Sequence, residues 1–396
     1  MKEINNVYSR NITINRDRLE NSLILGSAGS GKGFAYINPN IKDADNYSML
    51  VIDSNRDQYN RHKDQLTKKG YEVKLIDFVN TDDSVKYNPF AYVDQKDVDF
   101  VSRVILSELK KTDEVDKNEL FLLKFMIFYM MNKFDVEERN FAKLVEILEF
   151  ANSSEKEEPL KILNIMIDKF TLDVDEKSMF DLSDFDKIKE NDLKNALYSC
   201  YKCISELKNS DILTMTNKNN LDLDLVQDKK MAIFVNINVW DNRYSTLEAL
   251  MILQTYNNII KQNKDNYKYP VRIFIDELQT VADSFKQIDA YKMFISKGLL
   301  NGIFTDIIAQ SIGIIEYCLI NLDFIDNVLV LGSIADYKTT KFLEVVFKDA
   351  KLQIGLTDNS DGVNYKVANN TNYLSQSECL YYNDISQILF IDYKKE

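Results

Sequence analysis

Residues 21–32 read N-S-L-I-L-G-S-A-G-S-G-K, and no other stretch of the chain limits its fold so tightly. An apolar run at 23–25 enters Gly26-Ser27-Ala28-Gly29-Ser30-Gly31-Lys32, which satisfies the G-x-x-x-x-G-K spacing of a phosphate-binding loop. Glycines let the backbone curl until successive N–H groups face one anion, and Lys32 brings a mobile positive charge to the outer phosphates. The next position departs from the pattern. Ser or Thr normally follows the lysine to hold Mg²⁺, and this chain has Gly33. Residues 26–33 therefore read as a site for ATP in which Mg²⁺ ligation is weakened.

A second half of the site comes from far downstream. The apolar run at 271–275 ends in Asp276-Glu277, and the run at 302–309 ends in Gln310. In an ATPase the first acid orients Mg²⁺ and its water, the second polarises the attacking water, and an amide on a neighbouring strand senses the γ-phosphate. The reading is Asp276 as the metal residue, with Glu277 and Gln310 as catalytic residues. A competing account is purely local: strands ending in Asp are common in α/β folds, and a helix N-terminus favours negative charge.

The order of elements gives the architecture. The first ninety residues run strand, loop, helix, strand (48–53), helix (56–69, closed by Gly70), strand (72–77), as in a parallel βαβ sheet. From 97 to about 220 strand-like runs vanish and helical periodicity takes over at 98–109, 119–132, 141–152, 159–170 and 187–207. The α/β pattern resumes at 231–237 and continues through 271–275, 302–309 and 327–331. The expectation is an α/β nucleotide-binding domain in two parts, residues 1–93 and 228–396, around an all-helical inserted domain at 94–227. An edge strand is expected at 7–14, a helix at 337–347, a polar turn-rich loop at 355–372 and a last strand at 388–391.

Composition narrows the function classes. A net charge of −13 argues against a protein that coats nucleic acid by bulk attraction, although a local basic channel is compatible with it. With four cysteines and one histidine there is neither a disulfide framework nor a plausible zinc site, so the cysteines are expected in the core. His62 lies in a polar helical stretch and is expected on the surface, outside any acid–base role. The longest apolar stretch, 120–131, is broken by Lys124 and is too short to span a membrane; it reads as a buried helix of a cytoplasmic protein.

Taken in order, several segments resemble the cytoplasmic motor of conjugative type IV secretion coupling proteins, the TraG/TraD-like group. They are the phosphate loop with Pro39-Asn40 after it, S-M-L-V-I-D, K-K-G-Y-E-V-K-L-I-D, Y-N-P-F-A-Y, V-R-I-F-I-D-E, I-I-A-Q-S, L-V-L-G-S and the closing 373–378. The resemblance implies a RecA-like P-loop NTPase fold interrupted by an all-α domain. It also implies a hexamer, of one or of two kinds of chain, that uses ATP and Mg²⁺ to deliver a relaxase, single-stranded DNA or another protein substrate to channel proteins. The membrane helices that usually precede such a motor are missing from this stretch, so recruitment to the inner face of the membrane would run through a partner.

Three positions depart from the family. Gly33 replaces Thr, Asp53-Ser54-Asn55-Arg56-Asp57 replaces D-P-K-G-E, and Leu299-Leu300-Asn301-Gly302 stands where the family carries arginines. Lys297 could replace an arginine only as a point charge. These losses leave a second reading open, a nucleotide-binding adaptor that recruits partners without turnover or works beside an intact motor.

Overall fold

The computed structural model describes residues 19–112, 114–152, 161, 163–168, 182–237, 241–262, 267–287, 295–331 and 338–339, together with the backbone of four strands between 353 and 392. The chain divides into two compact units, one of residues 1–75, 223–237 and 259–396, the other of 76–222 and 238–258.

The first unit is built on a sheet whose order is β3-β4-β2-β5-β6-β1-β7-β10-β11-β8-β9. Its strands are β1 (Ser22–Leu25), β2 (Ser48–Asp53), β3 (Glu72–Asp77), β4 (Met231–Asn236), β5 (Val271–Ile275), β6 (Ile303–Ala309), β7 (Asn327–Leu331), β8 (Gln353–Asp358), β9 (Gly362–Lys366), β10 (Glu378–Asn383) and β11 (Ser386–Asp392). From β4 through β7 the pairings are parallel. Every residue of β1, β2, β4, β5, β6 and β7 is buried, as expected of near-continuous apolar strands covered on both faces. One face packs Ile24, Met49, Val51, Phe234, Phe274, Ile308 and Leu329 against Ala35, Tyr36, Ile37 and Ile41 from the helix that follows the loop.

That helix starts unusually. Gly33–Ile37 is wound as a π-helix, with the Asn38 N–H reaching the Gly33 carbonyl, and continues as α1 (Asn38–Lys42). Pro39 lacks the N–H that an α-helix would require of it here, which loosens this turn. The next helix, α2 (Asp57–Lys68), closes against Gly70, whose φ of 85° is the left-handed conformation of a helix stop.

The second unit is helical: α3 (Val98–Lys110), α4 (Lys117–Lys133), α5 (Phe141–Asn152), α6 (Glu190–Ile204) and α7 (Ser210–Thr216), with most of α8 (Ser245–Gln262). The Y-N-P-F motif acts here as a clip. The Tyr87 hydroxyl donates to Gln254 Oε1 at 2.5 Å, Gln254 Nε2 donates to the Pro89 carbonyl at 3.0 Å, and Asn88 Nδ2 donates to the Arg139 carbonyl at 2.7 Å. Cys200, Cys203 and Cys318 are buried free thiols, as expected. Among the described residues no helix is long and apolar enough to cross a membrane.

Two expectations fail. The stretch 355–372, read as a loop because it is polar and rich in turn residues, contains most of an antiparallel β8–β9 hairpin. His62 is buried, not exposed: it lies on the face of α2 turned inward, with Nε2 3.2 Å from Asn38 Oδ1. That face is the one carrying Tyr59 and Leu66, at helical spacing on either side of His62. The expected strand at 7–14, Gly332-Ser333 of L-G-S, and nearly all of the expected helix at 337–347 lie outside the described residues.

Burial, with Arg61 and Lys42 nearby, pushes His62 down to about 4. The unfolded chain binds this proton near 6.5 and the folded chain does not, so the stability His62 allows is complete above that pH and is lost as pH falls toward 4. Urea unfolding at pH 7 and pH 4.5 should show that His62→Gln removes about 1–2 kcal/mol of the acid-side loss; an identical loss in both proteins would place the ring in water.

Candidate nucleotide site

Parallel strands deliver their carboxyl ends to one edge of the sheet, and the first unit gathers its chemistry there. β1 runs into the phosphate loop, β2 ends in Asp53, β5 leads to Asp276-Glu277 and β6 to Gln310. Register fixes their relation. Leu25 pairs with Ala309 and the Gly26 N–H donates to the Ala309 carbonyl at 3.1 Å, so Gln310 stands beside the mouth of the loop. Ile52 pairs with Ile275, so Asp53 and Asp276 leave neighbouring strands at the same height. One strand, β6, separates the loop strand from the acid strand, which leaves a gap of roughly 10 Å between them.

The loop is a tight curl. Gly29 and Gly31 have φ of 75° and 88°, a conformation that side chains resist. At Gly26 a Cβ would stand 2.8 Å from the Leu331 carbonyl oxygen, so β7 leaves no room for one. Lys32 is folded onto the loop's own backbone: Nζ donates to the carbonyls of Gly26 at 2.7 Å and Ser27 at 3.0 Å. Burial lowers its pKa, while Asp276 and Glu277 act against that shift. The lysine is thus held inside the loop by groups that phosphate oxygens would replace.

Facing it is an acidic cluster. Asp276 is pushed up to about 7 by burial first, then by Glu277 and Asp53, with Lys32 opposing. Asp53 is raised as well, chiefly by burial, although its carboxylate accepts the N–H groups of Gln58 at 2.7 Å and Asn55 at 3.4 Å. Glu277 sits at φ 55°, a left-handed position uncommon for any residue but glycine, and accepts the Ser54 hydroxyl at 3.4 Å. Three carboxylates converge with one lysine, an excess of negative charge that a divalent cation would relieve. Among the described residues no three His, Cys, Asp or Glu side chains form a closed metal cage.

A buried brace lies under the loop helix. Arg272 on β5 donates through Nε to Asp306 Oδ2 on β6 at 2.7 Å, through one terminal nitrogen to Asn40 Oδ1 at 3.0 Å and Tyr47 Oη at 3.3 Å, and through the other to Tyr36 Oη at 3.1 Å. The guanidinium also lies over the rings of Phe274, Tyr47 and Phe304.

The structure therefore brings the expected residues 26–33, Asp276, Glu277 and Gln310 to one edge. Lys297 is different. It precedes the turn Leu299–Asn301 at the amino end of β6, a strand-length away from the loop, and cannot serve the site of its own chain. Sequence reasoning missed Asp53 and Gln58. Asp53 carries the same signal as Asp276, an acid closing an apolar strand; Gln58, in the first turn of a polar helix, carries none.

The strand order and loop together define a RecA-like P-loop NTPase fold. A family model for the type IV secretory system conjugative DNA transfer proteins matches residues 1–314, and the chain belongs to that family. Among solved structures it is similar to the plasmid coupling protein TrwB in complex with ADP and Mg²⁺, at 13% identity and a TM-score of 0.70, covering 100% of this chain and 90% of that one. It is likewise similar to the unbound bacterial conjugative coupling protein TrwB, at 13% identity and a TM-score of 0.68, covering 99% and 88%. VirB4 of Thermoanaerobacter pseudethanolicus matches at 11% identity and a TM-score of 0.59, covering 94% and 88%. No curated protein matches the chain in sequence.

The brace gives a direct test. Arg272→Leu leaves Asp306 buried without its partner and should cost about 3–5 kcal/mol in chemical denaturation; the double change Arg272→Leu with Asp306→Leu should recover at least half of that.

Proposed function

We propose that this chain is a coupling-protein-like ATPase of a conjugative type IV secretion system, delivering a relaxase–DNA complex or another protein substrate to the channel. The observation that supports it most is the convergence, on one sheet edge, of a lysine caged by its own phosphate loop and an acidic cluster with Asp276 held near neutrality. The loop amides and Lys32 would bind the phosphates. Asp276 would hold Mg²⁺ through its water shell, and the ion would screen phosphate charge. Glu277 would orient and polarise water at the outer phosphate, while Gln310, beside the loop mouth, would register whether that phosphate is present. TrwB, a structure of the same fold, was solved with ADP and Mg²⁺ and with non-hydrolysable nucleotide analogues.

Assembly into a hexamer is part of the proposal, because catalysis of this kind gains from a positive charge brought by a neighbour. Lys297, exposed at the far end of β6, is the charge that a second copy could present. The helical segment, expected at 94–227, is proposed to receive substrate, and contact with the membrane to run through a partner at its inner face.

A second reading is favoured by Gly33, which leaves the loop without its usual Mg²⁺ hydroxyl: a platform that binds nucleotide, turns it over slowly or not at all, and recruits partner proteins. ATP binding and hydrolysis, measured with and without single-stranded DNA, separates the two. The motor predicts turnover stimulated by DNA; the platform predicts binding with slow or no turnover that DNA does not raise. In either case Lys32→Ala should weaken ATP binding at least 100-fold in calorimetry, about 3 kcal/mol, and undiminished binding would remove the loop from the mechanism.

A further inference from the structure

Gly33 leaves the site without the hydroxyl that this loop normally offers to Mg²⁺, and the surroundings of Gly33 contain a replacement. A Cβ built on Gly33 would touch one group only, the side-chain nitrogen of Gln58, at 3.8 Å. Gln58 stands in the first turn of α2, and its backbone N–H is tied to Asp53 Oδ2 at 2.7 Å, which fixes where its side chain begins. The residue is 6% exposed, and its Oε1 is buried without a hydrogen-bond partner. A buried amide oxygen left without a partner costs on the order of 1–3 kcal/mol, so such an atom is retained where something else completes it. A half-turn of the terminal amide exchanges oxygen and nitrogen, which brings Oε1 to the place the nitrogen now holds beside Gly33. Amide oxygens are ordinary ligands of hard divalent cations and ordinary acceptors for the water such cations carry.

We propose that Gln58 Oε1 replaces the missing hydroxyl, holding Mg²⁺ or one of its waters beside the phosphate loop, so that the loss at position 33 is made good from the next helix. The inference rests on the nucleotide-site reading above, and it revises one consequence of the sequence: Mg²⁺ ligation is relocated rather than weakened. It also gives a reason for the closeness of β2 and its helix to the loop, since Asp53 anchors the residue that completes the site. Gln58 is a metal-binding residue in this proposal and makes no bond to the reacting phosphorus.

The test reads binding, not turnover. ADP affinity is measured by calorimetry in excess chelator and in excess Mg²⁺, and the ratio of the two is the Mg²⁺ advantage. Gln58→Leu should lower that advantage by about tenfold or more while leaving the chelator affinity within about twofold, the scale seen for groups that orient a metal. Adding Gly33→Thr to Gln58→Leu should restore it, because a Cβ at position 33 meets only ordinary contact. Equal weakening with and without Mg²⁺, or no rescue by the hydroxyl, would make Gln58 a packing residue and overturn the proposal. Gly33→Thr alone needs no change at Gln58: it should raise the Mg²⁺ advantage less than about twofold if Gln58 already serves, and a rise of about tenfold or more would overturn the proposal. Wild-type protein that binds no ADP in either condition would sink the nucleotide-site reading itself, whereas binding with an advantage indifferent to Gln58 would sink only this inference.

Discussion

The ion pair between Arg272 and Asp306, sealed under the loop helix, is the constraint on which the site depends. It joins β5 to β6 by a charged hydrogen bond and reaches Tyr36 and Asn40 on the helix that leaves the loop. Those elements carry Asp276 and Glu277, Gln310, and the phosphate loop in turn. A charged group this deep is costly unless every partner is in place, so it does little for net stability but penalises any slip between the strands and the helix. Three aromatic rings around the guanidinium fill the remaining space and exclude water.

With the register held, the electrostatics follow from topology. Parallel strands place Asp53, Asp276 and Glu277 at one edge, and burial raises Asp276 and Asp53 because their charges are poorly solvated there. Lys32 answers only part of that charge and spends its remaining hydrogen bonds on the loop's own carbonyls. The loop is therefore closed on itself by its own lysine. Glu277 in its left-handed conformation belongs to the same pattern, a strained position at the point where the chemistry would occur.

Much of this was legible in the residues. The phosphate loop, the strand-terminal Asp276-Glu277 and Gln310 were visible because each combines an apolar run with an abrupt polar ending, and a buried parallel strand has no other way to look. His62 was misread because α2 is polar in composition, although Tyr59 and Leu66, three residues before it and four after, put His62 on the face turned in. The hairpin Gln353–Asp358 with Gly362–Lys366 was missed because Gly, Asn and Asp mark a bend equally well inside a hairpin and in an open loop. Arg272 lay inside the recognised V-R-I-F-I-D-E, yet a lone arginine in a strand gives no sign of its partner thirty-four residues on. Gln58 had no signal at all; its place became visible only against the empty space at Gly33.

The central claim, that the curl at residues 26–33 and the acids facing it form one nucleotide pocket, is tested most directly by amide hydrogen exchange with and without Mg²⁺-ADP. The account predicts that exchange slows at the amides of 27–33 and at 276–278, on separate segments of the chain, at the same ligand concentration. Protection of the loop without the acid segment, or of neither, would contradict it.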